Sequence, residues 1–327
     1  MAQTQLYMKR AQVFCVEESG QDTYLEQVAG DAVLAEQVTV TIDSTNYEPT
    51  TVRGDFLSTD ETPGMASVAF NFRVPLHGSG TAGTAPEFDS LLKASGFKVV
   101  NVPVTSDTYT PLSTFDGAGG NPGPSYSCTL LEDGVSYKAK GGFATVVFEG
   151  AVGDPMFMNF TFTGAYQAVT DDALETASYN SVAAPPFKGA TFATNFGGAY
   201  TPKGINNFNL DLGNTVALMH DINDASGNYG ARITGRKSIG SFDPEMVLVA
   251  TEDFFGQWVA GTTGTIATGV VGSTAGNKWS LAVARAVKRA PEMGDRDGVR
   301  ILSVPYAVSS AGSDVEGTNA DITLAFT

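Results

Sequence analysis

The sequence predicts a mainly β protein with two tandem β-sandwich or β-barrel units, each carrying one short flanking α-helix. Three observations support this fold class. Glycine is abundant, at 37 of 327 residues, and only 17% of residues are charged, whereas long surface helices need more glutamate, lysine and arginine. Short segments of alternating polar and apolar residues recur along the chain, which is typical of strands. The order of elements in the first half also returns in the second.

This internal repeat pairs a strand with a short helix in each half. In the first half, the alternating segment 66–74 leads through a glycine-rich turn into a helix within 85–97. In the second half, the apolar segment 246–250 leads into a helix within 251–261. Two copies of one β-rich unit favour a structural building block over a catalyst.

Each half is expected to close on a strand of the same character, 158–163 in the first and 320–326 in the second. The polar segment 167–186, which contains two adjacent prolines, is the predicted linker between them. We therefore expect a domain at 1–166 and a second, diverged domain at 187–327, each long enough to have its own core.

The N-terminal part of the chain predicts two strands and a long polar segment. A first strand lies within 6–15, and 35–43 alternates with its apolar residues on one face, as in a half-buried antiparallel strand. The following segment 44–64 is rich in turn residues and predicts an extended loop or an open hairpin arm. A stretch of this length without an apolar core is usually functional or ordered by a partner.

The first predicted helix begins near Pro86 and Glu87, which suit a first turn because proline lacks an N–H and an acid complements the helix dipole. Gly96 ends the helix. Its apolar stripe is expected to cap the sheet and consists of Phe88, Leu91 and Leu92.

After the helix, a strand is predicted at 99–104 and a loop at 105–125, because glycine and proline interrupt the latter. The strongest local signal is the hairpin 126–139, in which an Asp-Gly turn joins two strands. Two further strands, 143–148 and 155–166, complete the first sheet.

The second half repeats this order less regularly. The segment 205–212 aligns with the strand 35–43, and a further strand is predicted at 231–237. Strands 279–286 and 300–308 are expected to form a hairpin around a charged loop. The helix of this half carries an apolar stripe that corresponds to the first one, made of Phe254, Phe255 and Trp258.

The charge balance excludes one class of function. The formal net charge is −16, and the acidic excess is larger in the first half. A protein that grips nucleic acid needs clustered lysine and arginine to neutralise phosphates. Two interpretations of the acidic charge remain open: it keeps the protein soluble, or it forms a surface that repels DNA.

No residue pattern predicts an enzyme, a cofactor or a metal site. His77 and His220 are the only histidines, and neither has a cysteine or carboxylate at ligand spacing. Cys15 and Cys128 are isolated, and we expect two buried, unpaired thiols. The N-terminus lacks a secretory pattern, and no apolar run reaches the roughly 20 residues of a membrane span.

Four segments of the first half resemble a known family. These are 86–97, 126–135, 140–150 and 160–166, and in this order they look like the major tail (tail tube) protein of long-tailed bacteriophages. The resemblance covers about 35–166, whereas the second half is similar only in its order of elements.

The resemblance implies that six such units form a ring, with inner strands joined into a continuous barrel and edge strands paired with neighbours. Rings stack into a tube through which the genome leaves the capsid. Two units per chain favour a ring of three chains with pseudo-sixfold symmetry, although six chains with the second half outside stay possible. The expected location is the virion tail, assembled in the host bacterial cytoplasm. Other tail proteins are expected at the tube ends, with no cofactor and no membrane insertion.

The resemblance also assigns roles to particular residues. Acids on lumen-facing strands would repel passing DNA, with Glu36, Asp43 and Asp211 as candidates, so that neutralising them slows DNA passage without blocking assembly. The long loops would be ordered between subunits or rings, and deletion of 47–62 is expected to abolish stacking but not folding. The candidate contact residues are Tyr47, Glu48, Arg53, Asp55, Asp107, Tyr109 and Asp116.

The main alternative is a virion decoration protein, or a β-sandwich that binds a receptor or carbohydrate through exposed loop aromatics. Tyr47, Tyr109 and Tyr229 are the candidates for that role. A β-sandwich glycosidase would need two carboxylates converging on a cleft.

Overall fold

A computed structural model describes residues 6–112, 116–117, 121–122, 124–310 and 321–327. It confirms the mainly β class, with two short α-helices among these residues. The first half contains β1 Ala11–Glu17, β2 Ala32–Val33, β3 Glu36–Tyr47, β4 Thr62–Pro75, α1 Asp89–Ala94, β5 Phe97–Val102, β6 Ser106–Pro111, β7 Asp116–Gly117, β8 Asn121–Pro122, β9 Tyr126–Glu132, β10 Val135–Ala151 and β11 Phe157–Thr170.

The second half has the same mixture of strands and one helix. It contains β12 Ala193–Asn195, β13 Ala199–Tyr200, β14 Asn207–Asp211, β15 Asn214–His220, β16 Asn228–Arg236, β17 Ile239–Phe242, α2 Phe254–Val259, β18 Thr263–Ala267, β19 Trp279–Lys288, β20 Glu292–Arg296, β21 Val299–Val308 and β22 Ile322–Phe326. A single 3-10 turn in the described chain lies at Ala29–Asp31.

The central feature is an antiparallel sheet to which both halves contribute, here called the main sheet. Its strand order is β3-β4-β11-β10-β14-β17-β21-β20. The two halves meet where β10 pairs with β14, with Val147 opposite Asp211 and Glu149 opposite Asn209. The main sheet therefore runs without a break from the first half into the second.

The order of strands within the main sheet bears on the predicted internal repeat. In the first half, the four strands come along the chain as β3, β4, β10 and β11, and lie in the sheet as β3-β4-β11-β10. In the second half, β14, β17, β20 and β21 lie as β14-β17-β21-β20, which is the same order. The short helix follows the second strand in both halves. The four main-sheet strands of the two halves thus share one order, while the duplication itself stays a prediction.

Two correspondences within the predicted repeat differ from the prediction. The segment 246–250 is not a strand, and the counterpart of β4 is instead the short strand β17. A five-residue apolar run cannot be assigned by periodicity alone, and here Leu248 and Val249 are exposed. The counterpart of β11 is β21, because β22 pairs with β19 and β6 outside the main sheet.

A second layer covers one face of the main sheet. It is the ladder β5-β6-β22-β19-β18-β12-β13, in which β6 of the first half pairs with β22 of the second. The layers meet through aromatic side chains, such as Phe97 against Phe148 with ring centroids 6.5 Å apart. A branch of three strands, β9-β1-β2, continues from the N-terminal part of β10.

The core lies between these layers and is shared by both halves. Alternate residues of the main sheet, including Phe70, Phe148 and Phe160 of the first half and Phe208 of the second, are buried in one continuous cluster. The expectation of two separate cores is therefore wrong. The division into 1–166 and 187–327 stays a prediction about the repeat.

The predicted linker is attached to the first half along much of its length. β11 continues to Thr170, and Leu174 and Ala177 pack against Phe14 and its neighbours. Glu175 exchanges two hydrogen bonds of 2.9 Å with the side chain of Gln12. These contacts position the segment on the surface of the first half.

Asp172 is an acid-sensitive point of this attachment. Its carboxylate accepts from Lys138 at 2.8 Å and also from Ser136 and Thr170, and these bonds lower its pKa from 3.8 to about 2. A lowered acid pKa stabilises the fold above the ordinary value, and this stabilisation is lost as the pH falls through the folded value.

We therefore expect Asp172→Asn to lose less stability than the parent chain between about pH 4 and pH 2. Urea unfolding at a series of pH values measures this difference. Equal slopes of stability against pH in both proteins would contradict the expectation.

The predicted first helix is confirmed, but it begins later than expected. The residue before it is Phe88, and Gly96 after it has a φ of +78°. Glu87 precedes the helix, and its carboxylate accepts the backbone N–H groups of Leu34 and Asn180. Burial opposes ionisation of Glu87, but these bonds and His77 together lower its pKa.

The hairpin signal is confirmed: β9 and β10 are joined through Asp133 and Gly134, both with positive φ. The predicted strands 135–139 and 143–148 are parts of the single strand β10, with an irregularity between Lys140 and Phe143. Cys15 and Cys128 are buried and unpaired, as predicted, and burial raises the pKa of both thiols.

Candidate assembly interface

The main sheet has two edges with unpaired backbone. Within the described part of the chain, β3 pairs only with β4, and β20 pairs only with β21. The backbone of β21 shows which β20 groups face outward. Leu302 N–H donates to Pro244 at 2.9 Å, and Arg300 C=O accepts from Met246 at 2.9 Å, both on the side away from β20.

The β20 residues opposite these two are Met293 and Asp295. In an antiparallel pair, such residues turn their N–H and C=O groups away from each other. Met293 and Asp295 therefore present backbone donors and acceptors to the open edge. An edge of this kind can accept another strand.

The joint between β10 and β14 shows how an equivalent edge is filled. The N-terminal part of β10 pairs with β9, and its C-terminal part pairs with β14. In the second half, β19 pairs with β18, and the following strand β20 is open. β20 therefore corresponds to the C-terminal part of β10. That part of β10 pairs with β14, whereas the equivalent edge of β20 is open.

The predicted polar loop 44–64 is an open hairpin arm. β3 and β4 extend to Tyr47 and Thr62, and we name residues 42–66 the first arm. Nearly all of it is exposed, including the fully exposed Phe56 and the 70% exposed Leu57 at its tip. Large apolar side chains in this position favour a partner surface.

Four of the predicted contact residues lie on the first arm and are exposed: Tyr47, Glu48, Arg53 and Asp55. Arg53 Nε lies 3.7 Å from Asp55 Oδ1, and both side chains are about half exposed. Their contact with other subunits stays a prediction.

Two other predicted contact residues are buried, because the predicted loop 105–125 begins with strand β6. Tyr109 is buried between β5 and β22, and its hydroxyl donates to Asp89 Oδ1 at 2.7 Å. Asp107 is also buried and accepts from Asn101 at 2.5 Å. Neither can contact another subunit or a sugar. Asp116 belongs to β7, and its side chain is outside the described residues.

The face of the main sheet opposite the core is polar near its centre. Thr161 donates to Asn71 at 2.9 Å, and Glu149 accepts from Asn159 at 2.7 Å and from Asn209 at 3.4 Å. These side chains lie on one face because their strands pair in register. Hydroxyl, amide and acidic groups dominate this surface.

The three candidate lumen acids lie on the main sheet. The ladder pairs place Glu36, Arg73, Asn159, Val147 and Asp211 in one row, so Glu36 and Asp211 share the polar face. Glu36 is paired with Arg73 at 2.8 Å, which offsets its negative charge. Asp211 accepts from Gly213 N–H at 2.8 Å, and Asp43 is exposed on β3.

The two helices differ in how they cover the sheet. Phe88, Leu91 and Leu92 are fully buried, which confirms the prediction for α1. On α2, only Phe254 is buried and Phe255 packs partly against the core, while Trp258 is 40% exposed. The prediction that Trp258 caps the sheet is therefore wrong. Asp253 caps the N-terminus of α2, and its carboxylate accepts from Gly256 N–H at 2.8 Å.

Sequence reasoning missed a buried cation behind α2. Lys288 on β19 has no exposed side-chain surface, and its Nζ lies 3.0 Å from Glu252 Oε1. The same ammonium lies 4.2 Å and 4.5 Å from the ring centroids of Phe196 and Phe254. Burial lowers the pKa of Lys288, and the nearby carboxylate of Glu252 partly offsets this lowering. The sequence pattern places Lys288 in the charged loop after strand 279–286, so it gives no signal for the burial of Lys288 or for its partners.

Both histidines take part in local contacts. His77 is buried, with Nδ1 2.9 Å from Gly78 O and Nε2 3.7 Å from Glu87 Oε1. His220 Nδ1 lies 2.7 Å from Asn228 Oδ1. In the part of the chain that the structure describes, no three histidine, cysteine or acidic residues are grouped as metal ligands. Neither helix there is long and apolar enough to cross a membrane.

Comparison of the sequence with protein-family models and with curated proteins finds no match.

Proposed function

We propose that this chain is a structural subunit that joins copies of itself edge to edge into rings. The rings stack into a hollow tube of the phage tail-tube type, which conducts a genome. The observation that carries the proposal is the main sheet, with two repeated four-strand units, a joint between them and an open strand at each end. Pairing of these two open strands between copies would join the main sheets of several chains into a ring.

The joint between the two units supports edge-to-edge assembly. β10 and β14 pair antiparallel over five residues, from Val147 opposite Asp211 to Ala151 opposite Asn207. In the proposed ring, β20 of one copy pairs in the same sense with the N-terminal part of β3 of the next. This pairing removes both open edges and their risk of uncontrolled association.

The repeated strand order also favours a ring of three chains over one of six. Each chain supplies two units, so three chains supply the six of the proposed ring. The shared core fixes the second half beside the first within the sheet, which disfavours a second half that decorates the outside.

The proposed inner surface is the polar face of the main sheet. Its hydroxyl and amide groups are paired among themselves, and its excess charge is acidic, as Glu149 and Asp211 illustrate. Such a surface repels phosphate and offers DNA no cluster of cations. DNA would pass transiently and without sticking. The proposed location is the virion tail, with other tail proteins at the tube ends.

Electron microscopy of the purified protein, with rotational averaging, tests this proposal. We expect rings or hollow tubes, with three chains per ring from the ring mass. Monomers at high protein concentration would contradict the proposal. They would favour the decoration or receptor-binding alternative, for which Tyr47 is the one exposed aromatic of the three candidates.

A further inference from the structure

The second half has its own arm, and this arm has a partner surface within the chain. We name residues 212–238, which contain β15 and β16, the second arm. It packs across β10, β11 and β4 of the first half, and Val216, Leu218 and Ile233 contact the core. Both arms connect the first and second strands of their unit in the main sheet, and they are similar in length.

The tip of the second arm is held at the base of the first. Ala66 N–H donates to Ser226 O at 2.9 Å, and the Asn228 side chain donates to Ala66 O at 2.8 Å. Asp224 at the same tip lies 2.5 Å from Lys140 Nζ on β10. The tip of the second arm is therefore held by hydrogen bonds to the backbone at the base of the first arm and by an ion pair with β10.

The tip of the first arm packs against no other part of the chain that the structure describes. Phe56 is fully exposed, and Val52 and Leu57 are exposed beside it. Ordering apolar side chains in water is unfavourable, so such a tip is expected to be covered in the working assembly.

Among the residues that the structure describes, a cleft lies at the base of the second arm, in the place that corresponds to the occupied base of the first arm. Its volume is about 660 Å³. The side chains that line it include the apolar Leu112, Ile233, Val308 and Ile322 and the charged Arg236, Lys237 and Asp321. The cleft thus has apolar surface for the exposed side chains of an arm tip, and its charged side chains include both signs.

Two polar atoms beside the cleft are buried without a hydrogen-bond partner: Arg285 Nε and Ser309 Oγ. Arg285 lies on β19 opposite Ser309, since Ser309 N–H donates to Arg285 O at 3.0 Å. Lys140 in the N-terminal part of β10 corresponds to Arg285 of β19, because Lys140 lies opposite Ala165 of β11 as Arg285 lies opposite Ser309. Lys140 is paired with the second arm, whereas the Nε of Arg285 has no described partner. Buried polar atoms without partners are uncommon in a finished structure.

From these observations we infer that the first arm of one copy seats its tip in the cleft at the base of the second arm of another copy. The inference rests on the proposed function. Within one chain, the second arm packs on the first half, and in the proposed ring the first arm of one copy packs in the same way on the second half of another. Phe56 and Leu57 enter the cleft, and Asp55 pairs with Arg285 as Asp224 pairs with Lys140. The contact therefore lies within a ring, and deletion of 47–62 would block ring closure before stacking.

Charge reversal tests the inferred pair. Arg285→Glu and Asp55→Lys each place like charges at the contact, so we expect each to raise the protein concentration needed for rings by about tenfold or more. The double variant restores the attraction and is expected to return assembly toward the parent value. Lys188→Glu, a reversal at an exposed residue away from the cleft, is the matched control and should assemble like the parent.

Sedimentation velocity and electron microscopy measure assembly, and circular dichroism checks that each variant is folded. If both single variants form rings as well as the parent chain, the arm inference is overturned and the proposed function stands. If the parent chain forms no rings, the proposed function fails first. Phe56→Ser gives a second test, because loss of an exposed side chain cannot harm the monomer core, yet it should weaken assembly.

Discussion

Replacement of Met293 by proline is expected to leave the monomer folded and to abolish ring assembly. Met293 lies on the open strand β20 with its backbone N–H directed away from β21. Proline has no N–H to donate and is tolerated on an edge where the donor faces solvent. The ladder between β20 and β21 therefore remains, while the edge loses a donor and gains a ring that obstructs an incoming strand.

The measurement is the ring fraction by electron microscopy beside the unfolding midpoint in urea. Met293→Ala keeps the N–H and serves as the matched control, with assembly expected to remain. Gly294→Pro places the proline at the alternate position of the same strand, where the N–H faces β21, and is expected to weaken the monomer itself. Rings from Met293→Pro at the parent concentration would exclude β20 as the pairing edge.

Replacement of Lys288 by methionine is expected to lower the free energy of unfolding by about 3–5 kcal/mol. The change removes one member of a buried ion pair, so Glu252 keeps a buried charge without a counterion 3.0 Å away. Removal of both charges avoids this penalty. The double variant Lys288→Met with Glu252→Leu should therefore recover most of the loss.

Urea unfolding of the single and double variants measures both values. Lys188→Met, an exposed substitution of the same type, is the control and should change stability by less than about 0.5 kcal/mol. If Lys288→Met behaves like this control, the pair with Glu252 does not hold α2 against β19. A double variant that is no more stable than the single one would point to lost packing instead.

Exchange between variant chains offers a separate check on ring size. In a mixture of Arg285→Glu and Asp55→Lys chains, attraction is restored only where the two kinds alternate. Strict alternation is possible around an even number of chains but not around three. We therefore expect the mixture to assemble less well than the double variant, and full recovery would favour six chains.

The sequence predicted the features that depend on local pattern. Alternation identified the strands of the first half, and the Asp-Gly turn identified the β9–β10 hairpin, because these signals lie within a few neighbouring residues. The shared strand order of the two halves was also expected, since an order of elements can survive divergence of the sequence. The exposed positions of Tyr47, Glu48, Arg53 and Asp55 followed from the polar composition of their segment.

Features that depend on distant pairing could not be predicted. Asp107 and Tyr109 lie in a polar stretch, and only the pairing of β6 with β22, which is far away in the sequence, buries them. The burial of Lys288 depends in the same way on Glu252 of another element. The contact surfaces of the two arm tips and the open edge of β20 likewise could not be predicted without knowing which strands are neighbours.

The joint between β10 and β14 affects how the proposed assembly depends on protein concentration. Because this joint lies within one polypeptide, half of the contacts around the ring form at the high effective concentration of a tethered pair. The number of free molecules that must meet falls from six to three. Assembly should then depend less steeply on protein concentration, and the two kinds of unit are always supplied in equal numbers.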